Sequence, residues 1–300
     1  MGDILHTFPV LGFLRSRFPE ARIHWIVEES CSSLVKAHPA VDRVICIDSK
    51  KWRRNLWSRQ SWKELQSIVH DLRSTSYDIV FDLQGNIKSA LCTFLARSSC
   101  KVGFGRASVS ESPNLLCTHH RFDPPASGSI REDLLFLPKS FYGVQEEEFF
   151  DEALYLQITA EEREILNTFF AKPQLNSSSS LRVIVSPGSR WRNKCLSFDV
   201  LEDFLQLVSE MTSCTFLFSW GDAEEKAVSE KLHRSFPDSS CLLDKLSLPL
   251  LQHFMGASNL VIAMDSLPLH LCATTDTPSY AFFGPSAAIK YQAKGKHRGA

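Results

Sequence analysis

Short apolar runs alternate with longer stretches of helical period along most of the chain. The runs are rich in β-branched and aromatic residues and predict strands buried on both faces, at 23–27, 43–47, 77–83, 182–185, 214–220, 260–264 and 279–283. The stretches between them predict helices at 4–17, 61–74, 87–97, 198–211, 224–236 and 248–257. Strand–helix–strand repetition of this kind predicts parallel sheets covered by helices, which is an α/β fold.

The alternation divides the chain into two parts. No clear rhythm is visible over residues 106–150, and the run of asparagine and serine at 176–180 indicates a flexible linker. The stretch Thr159-Ala-Glu-Glu predicts the capped start of a helix that ends near Ala171. We therefore predict two doubly wound domains, 1–155 and 156–300, with a ligand cleft between them. The first strand expected of an N-terminal doubly wound domain is absent, since Met1-Gly2-Asp3 leads directly into a helical pattern.

Composition narrows the class of protein. With 44% hydrophobic and 22% charged residues in 300, the chain is typical of a globular protein of two domains. A formal net charge of −1 argues against nucleic acid as a partner. No apolar run approaches the ~20 residues of a membrane span. Nine cysteines without a C-x-x-C pair predict reduced thiols in a cytosolic protein and no metal site, and no cofactor is indicated.

Three features in the N-terminal half are candidates for chemistry. Asp3 precedes a predicted helix, so it is either an N-cap or a carboxylate able to accept a proton from an attacking hydroxyl. Lys88 falls in the first turn of a helix after a glycine turn, where a cation opposes the helix dipole and a ligand-facing role is favoured. Arg53 and Arg54 lie in a cluster of cations and tryptophans, which is either a solvated charge run or a site for a bulky anionic partner.

The C-terminal half places a polar loop after each of three predicted strands. In the first loop, Ser189 allows close backbone approach and Lys194 is able to neutralise a phosphate. In the second, Glu225 either stabilises the first turn of a helix or accepts the hydroxyls of a ribose.

The third of these loops opens a helix. Asp265 and Ser266 come directly after the strand, and His270 follows about one turn into the helix. Backbone N–H groups at a helix start favour an anion, although a lone histidine is more often a packing residue. The fingerprints G-x-G-x-x-G and G-x-x-x-x-G-K-[ST] are both missing, so a nicotinamide oxidoreductase or a P-loop enzyme is not indicated.

Taken in order, these stretches resemble glycosyltransferase family 9, the lipopolysaccharide heptosyltransferases. The resemblance rests on Met-Gly-Asp-Ile-Leu-His-Thr-Phe-Pro at 1–9, Trp-Ile-Val-Glu-Glu at 25–29, Asp-Leu-Gln-Gly-Asn-Ile-Lys-Ser-Ala at 82–90, Ser-Pro-Gly-Ser at 186–189 and Met-Asp-Ser…His at 264–270. The second and third of these, with Lys-Lys-Trp-Arg-Arg at 50–54, are most similar to the heptosyltransferase I branch of the family.

The resemblance implies a GT-B fold, in which two Rossmann-like domains face one cleft. It implies a metal-free, inverting transfer of heptose from ADP-heptose to a Kdo residue of lipid A, by a monomer in the cytoplasm that contacts the inner membrane peripherally. The roles it implies are a catalytic base at Asp3, acceptor contacts at Arg53, Arg54 and Lys88, and donor contacts at Ser189, Lys194, Glu225, Asp265, Ser266 and His270. The alternatives are a GT-B transferase that uses another sugar nucleotide and a truncated, non-catalytic relic of the family.

Overall fold

The computed structural model describes residues 2–49, 51, 59–125, 128–144, 153–175, 180–292 and 298–299. Two compact units make up the chain. We call His6–Phe150 the N-terminal unit. Met1–Leu5 together with Asp151–Ala300 form the C-terminal unit. The first helix is therefore shared, because its first turn belongs to the C-terminal unit and the remainder to the N-terminal unit.

The described helices and strands of the N-terminal unit alternate up to its fourth strand, which is followed by a fifth strand with no α-helix between them. In chain order they are α1 (Gly2–Arg17), β1 (His24–Glu28), α2 (Ser32–Lys36), β2 (Arg43–Ile47), α3 (Arg59–Ser74), β3 (Val80–Phe81), α4 (Ile87–Leu95), β4 (Lys101–Phe104), β5 (His120–Phe122) and α5 (Ile130–Phe141). The described strands form two parallel sheets, β1–β2 and β3–β4–β5. One link between these sheets is the contact of His24 Nδ1 in β1 with the Tyr77 hydroxyl at 3.1 Å.

The C-terminal unit repeats the same alternation. Its described elements after residue 150 are α6 (Ala160–Phe170), β6 (Leu181–Ser186), α7 (Phe198–Met211), β7 (Cys214–Phe218), α8 (Ala223–Ser235), β8 (Ser240–Leu242), α9 (Leu248–Gly256), β9 (Leu260–Met264), α10 (Leu267–Cys272), β10 (Ser279–Phe282), α11 (Ala288–Tyr291) and β11 (Arg298–Gly299). Helix α6 starts with the predicted capping box, since the Thr159 side chain accepts from the Glu162 N–H and the Glu162 carboxylate accepts from the Thr159 N–H.

The described strands of the C-terminal unit form a six-stranded parallel sheet in the order β8-β7-β6-β9-β10-β11. Numbered from β6, this is the 3-2-1-4-5-6 order of a Rossmann fold. Strands β6, β7 and β8 are added in one direction across the sheet, and β9, β10 and β11 in the other. The order therefore reverses between β6 and β9, which pair directly and in parallel. Loops that leave the carboxyl ends of two such strands diverge and open a crevice, so the fold predicts a ligand site at this point.

Burial of the central strands on both faces stabilises this sheet. Val183, Ile184 and Val185 in β6 are each no more than 1% exposed, so this short run has no solvent face. On one side, helix α7 packs Leu201 and Leu205 against the sheet, and both are fully buried. The continuous apolar runs in the sequence are a direct consequence of this two-sided burial.

Most predicted elements lie within a few residues of the observed ones, but α2, β4, β8, α11 and β11 were not predicted. Two further differences concern α1 and the region without rhythm. Helix α1 begins at Gly2, so Asp3 lies in the first helical turn and the expectation of an N-cap at Asp3 is wrong. The region without rhythm contains β5 and α5, which the sequence pattern did not reveal. Strand β5 has only three residues, too few for a period, and Pro138 lies inside α5, where a proline usually marks a helix end. Four residues of the predicted linker, 176–179, lie outside the described residues.

Candidate functional site

A cluster of three charged or polar side chains lies at the point where the C-terminal sheet reverses direction. Lys194, from the loop after β6, donates from Nζ to Asp265 Oδ2 at 2.6 Å. Asp265 follows β9, and its other oxygen, Oδ1, lies 3.7 Å from His270 Nε2. The Asp265 side chain is only 2% exposed, whereas that of Lys194 is 23% exposed. The lysine is therefore held by a buried carboxylate, while part of its side chain stays accessible to solvent.

Local backbone packing explains how Lys194 reaches Asp265. A short 3-10 turn over Arg192–Lys194 ends the loop after β6. Gly284, just after β10, lies so close to this turn that a Cβ on it would be 2.6 Å from the Asn193 carbonyl oxygen and 3.2 Å from Lys194 Cα. Only a residue without a side chain allows the two segments to pack in this way.

The start of α1 lies against the same cluster. A Cβ built on Gly2 would be 3.3 Å from His270 Cδ2, so the first turn of α1 contacts the histidine ring. Asp3, the next residue, is exposed and belongs to the same unit as the cluster. An exposed carboxylate thus lies one residue from a direct contact with His270, which the separation of 267 positions in the sequence did not reveal.

Two serines flank the cluster. Ser189 is half-buried in the loop after β6, where its hydroxyl oxygen accepts from the Trp191 N–H at 3.4 Å. Its carbonyl oxygen accepts from Cys195 Sγ at 3.7 Å, which ties the loop to the residue after Lys194. Ser266 is the N-cap of α10, and its hydroxyl donates to the Met264 carbonyl at 3.3 Å. Ser189 is thus in the loop that carries Lys194, and Ser266 directly follows Asp265.

Glu225 forms a second group of contacts at the same edge of the sheet. Its carboxylate accepts from the Gly221 N–H at 2.7 Å, and a Cβ on Gly188 would lie 2.5 Å from Oε1. Burial raises the pKa of the Glu225 carboxyl, and the Gly221 N–H opposes this rise. The side chain is half-buried and sits directly over the loop that holds Ser189. Gly188 is the residue that makes room for it, because any side chain there would displace the carboxylate.

Lys88 lies in the N-terminal unit, where it meets two residues that the sequence analysis did not single out. Its Nζ donates to the Ser49 hydroxyl at 3.0 Å and lies 3.6 Å from Glu28 Oε1. Glu28 in turn accepts from the Ser49 N–H at 3.2 Å and from its hydroxyl. Glu28 ends β1, and Ser49 follows β2, the strand that pairs with β1 in parallel. Their positions at two adjacent strand ends were the feature of the sequence from which these two residues could have been found.

The loop before Lys88 is fixed by a buried carboxylate. Asp82, 3% exposed, accepts from the N–H groups of Gln84 and Gly85 through Oδ1. Its Oδ2 accepts from the hydroxyl of Thr93 and the amide of Asn114. Gly85 has a φ of 68°, as the glycine turn predicted. A fully bonded carboxylate of this kind holds the start of α4, and hence Lys88, in one position.

The remaining candidates are the two arginines, a metal site, the cysteines and a membrane-spanning helix. Arg53 and Arg54 lie outside the described residues. Within the described ranges, no three His, Cys, Asp or Glu side chains converge in a way that would hold a metal ion. None of the nine cysteines forms a disulfide, and burial raises the pKa of Cys92 to about 11, so this thiol is neutral and unreactive. None of the helices that the structure describes has the length and apolar character needed to cross a membrane.

Comparison with protein families decides where this chain belongs. The family model described as "Glycosyltransferase family 9 (heptosyltransferase)" matches residues 65–299. The chain belongs to glycosyltransferase family 9. The matched range includes Lys88 and the whole of the Lys194, Asp265 and His270 cluster.

Curated relatives align with nearly the whole chain. The chain is 26% identical to lipopolysaccharide heptosyltransferase 1 of Pseudomonas aeruginosa over 95% of its own length and 76% of that protein's. It is 24% identical to the Campylobacter coli protein of the same name, over 97% and 83% of the two lengths. Similarity at this level runs through both units and is not confined to one motif.

Solved structures agree on the fold. The Escherichia coli heptosyltransferase WaaC with ADP superposes with a TM-score of 0.80 at 23% identity, covering 99% of this chain and 89% of that one. The E. coli ADP-heptose lps heptosyltransferase II gives a TM-score of 0.73 at 17% identity, over 99% and 86% of the two chains. The α/β fold is therefore the GT-B fold of these transferases, and the fold predicted from the resemblance is confirmed.

Proposed function

We propose that this protein is an inverting heptosyltransferase that transfers heptose from ADP-heptose to a Kdo residue of lipid A during synthesis of the lipopolysaccharide inner core. The observation that carries the proposal is the contact of Lys194 with Asp265 beside His270, at the reversal point of a Rossmann sheet. Relatives named lipopolysaccharide heptosyltransferase 1 and a WaaC structure with ADP-2-deoxy-2-fluoro heptose support the choice of donor and acceptor.

The donor diphosphate is assigned to the cluster at the end of β6 and β9. Lys194 supplies a positive charge that is already oriented by the buried Asp265, so little reorganisation is needed when the leaving diphosphate gains charge. Ser189 lies in the same loop as this lysine, and Ser266 and His270 follow Asp265 in the chain. All three are assigned hydrogen bonds to the diphosphate and the heptose. A lysine and further hydrogen-bond donors are sufficient to stabilise a diphosphate leaving group without a metal ion.

Glu225 is assigned to the adenosine ribose. A carboxylate is an acceptor for two neighbouring hydroxyls, which is how Rossmann sites hold a ribose. The half-buried position of Glu225 over the loop of Ser189 supports this role, because a ribose bound there would lie next to the diphosphate site. Its raised pKa means that the ionised form is held against a desolvation cost, which hydrogen bonds from ribose hydroxyls would offset.

Asp3 is the proposed general base. Its carboxylate accepts the proton of the attacking Kdo hydroxyl, whose oxygen forms a bond to the anomeric carbon of the heptose. The bond from that carbon to the diphosphate breaks on the opposite face and ADP departs, which inverts the anomeric configuration. The contact of Gly2 with His270 supports the assignment, because it places the first turn of α1 beside the residues assigned to the donor.

The acceptor is assigned to cations of the N-terminal unit. Kdo carries a carboxylate and lipid A carries phosphates, so an ordered ammonium is a suitable partner. Lys88 fits this role because Ser49 and Glu28 fix its Nζ while its side chain remains 51% exposed. Arg53 and Arg54 are proposed as further acceptor contacts on the sequence alone. Measuring the acceptor KM of Lys88→Met, with its donor KM as an internal control, tests the assignment of Lys88.

The cellular setting is also part of the proposal. We place the enzyme in the cytoplasm as a monomer in peripheral contact with the inner membrane. Nine cysteines without a disulfide support a reducing compartment, and a lipid acceptor requires access to a membrane surface.

The proposed reaction is tested by incubating the purified protein with ADP-heptose and Kdo–lipid A and measuring release of ADP together with heptosylated product. We expect turnover with ADP-heptose and none with a UDP-sugar, because the WaaC structures that this chain resembles hold ADP or an ADP-heptose analogue. Glu225 and Lys194 are assigned to the ribose and the diphosphate, which both kinds of donor carry. Turnover with a UDP-sugar instead would favour the alternative GT-B transferase. Tight ADP binding without turnover on any acceptor would favour the non-catalytic relic.

Replacing Gly188 by alanine is expected to raise the donor KM by about 10- to 100-fold, the range of one to two charge-assisted hydrogen bonds. The new Cβ would collide with the Glu225 carboxylate, which must swing away from its place. The melting temperature should change little, since the displaced group is the end of a flexible side chain. Gly12→Ala in α1 is the matched control, because nothing lies within 4 Å of its Cβ position. An unchanged donor KM in Gly188→Ala would remove Glu225 from the ribose site.

A further inference from the structure

Helix α4 carries an exposed apolar stripe directly beside Lys88. Ile87, Leu91 and Phe94 are 55%, 51% and 61% exposed. Their spacing of four and three residues places them on one narrow face, and they span about 10 Å along the helix axis. The Asn86 capping box fixes the start of this helix, so the stripe is held in a defined orientation. We call Ile87, Leu91 and Phe94 the α4 stripe.

The charge on α4 distinguishes the stripe from other exposed apolar residues. Lys88 is the single charged residue in the helix, and no acidic residue occurs between Ile87 and Leu95. Helix α7 has a comparable apolar face, formed by Val200, Leu207 and Met211. That helix, however, carries four acidic residues and no basic one, at Asp199, Glu202, Asp203 and Glu210. Two carboxylates lie at the start of α4, since Glu28 is 3.6 Å from the Lys88 ammonium and Glu111 accepts from the Ile87 N–H at 2.6 Å. An anionic surface would still favour α4, with its one cation, over α7, with four acidic residues and no cation.

We propose that the α4 stripe docks the enzyme on an anionic lipid bilayer, with Ile87, Leu91 and Phe94 inserted among the acyl chains and the Lys88 ammonium at the level of the phosphates. An apolar face beside a cation is the arrangement of interfacial helices. A second copy of this chain is a poor occupant, because the three side chains expose roughly 300 Å², well below the ~800 Å² per partner of a stable interface.

The location of the stripe also has a consequence for the reaction. This step rests on the proposed function, in which Lys88 binds the anionic head of a lipid acceptor. One short helix then contacts both parts of that lipid, with the sugar at its first turn and the acyl region along its length. Docking would bring the enzyme to the bilayer in the orientation in which Lys88 meets the acceptor.

The test measures binding to vesicles that contain no acceptor, so it is independent of turnover. Vesicles of phosphatidylethanolamine and phosphatidylglycerol are sedimented with wild-type protein, with Leu91→Ser/Phe94→Ser and with Leu207→Ser/Met211→Ser as the matched control on α7. We expect the first variant to lower the partition coefficient by about tenfold or more, because lost binding scales with the apolar area removed, and the control to bind as wild type does. Phosphatidylcholine vesicles should bind all three proteins more weakly.

A second measurement guards against a folding defect. Phe94→Trp and Met211→Trp keep an apolar side chain at each site, and vesicles with brominated acyl chains should quench the added fluorescence of the first variant but not of the second. The proposal is overturned if the wild type does not bind anionic vesicles, if both serine variants bind equally, or if light scattering shows a dimer that only Leu91→Ser/Phe94→Ser dissociates.

Failure of docking and failure of the proposed function give different results. Leu91→Ser/Phe94→Ser should keep wild-type turnover on a deacylated, water-soluble Kdo acceptor, since neither residue is assigned to the reaction. If the wild type binds vesicles through the α4 stripe but transfers no heptose to either acceptor, the docking surface stands and the heptosyltransferase assignment is wrong. If the wild type transfers heptose normally but does not bind vesicles, the heptosyltransferase assignment stands and the docking surface is wrong.

Discussion

Asp3→Asn is expected to lower kcat by about 10²- to 10⁴-fold, the range that a positioned general base contributes. The amide has the shape of the carboxylate but cannot accept the proton of the acceptor hydroxyl. The donor KM should stay close to the wild-type value, because Asp3 is not assigned to the nucleotide. Steady-state rates of ADP release at saturating Kdo–lipid A measure kcat, and titration of ADP-heptose gives the donor KM.

The control for Asp3→Asn must reproduce its effect on the helix. Asp3 lies in the first turn of α1, where a carboxylate stabilises the helix dipole, so the substitution also removes a structural contribution. Asp199→Asn makes the same change in the first turn of α7, also at an exposed position. It should share any small drop in melting temperature and keep full activity. A rate for Asp3→Asn within a few-fold of wild type would mean that another group removes the proton.

Lys194→Met has the second large expected effect, a fall of about 10²- to 10³-fold in kcat/KM for ADP-heptose. Methionine keeps the length of the side chain and removes the charge that stabilises the leaving diphosphate. The variant should also be less stable by up to about 3–5 kcal/mol, because Asp265, 2% exposed, loses its nearest cation. The partial exposure of Lys194 makes this an upper limit. Single-turnover rates and urea unfolding measure the two effects separately.

Two further variants distinguish the role of the Lys194 charge in catalysis from its role in stability. Lys194→Met/Asp265→Asn no longer buries an unpaired carboxylate, so it should regain much of the stability while activity remains low. Lys226→Met removes the lysine of an exposed pair with Glu230 and should leave both stability and rate near wild type. If the double variant recovered wild-type turnover, Lys194 would be a structural partner of Asp265 and not a ligand of the diphosphate.

Regular elements could be predicted where burial imposes a pattern. Strands β2 and β9 and helix α7 have the predicted bounds, because their apolar residues follow the period of the element and are covered on the expected faces. Strand β4 was not predicted, because Lys101 at its start is a residue that pattern analysis assigns to solvent. Its side chain is buried, with Nζ donating to the Phe94 carbonyl at 3.2 Å. Neither a covered lysine nor a strand of four residues leaves a periodic signal.

The candidate site was predictable in its chemical groups and not in its contacts. The order of the loops identified Lys194, Asp265 and His270 as residues at strand ends, and the sheet order explains why the loops after β6 and β9 meet. The partners of Lys88 were missed, since Glu28 and Ser49 are separated from it by 60 and 39 positions and come together only through two neighbouring strands.

The sequence alone determined the α/β class, the family resemblance and the kinds of side chain available for transfer, because these depend on local period and on residues that lie next to one another in the chain. Tertiary structure decided which of them meet: Gly2 with His270, Gly188 with Glu225, and Lys88 with Glu28 and Ser49. The physical reason is that such contacts depend on strand order and on close backbone packing over long sequence separations. A linear pattern of apolar and polar residues carries no record of either.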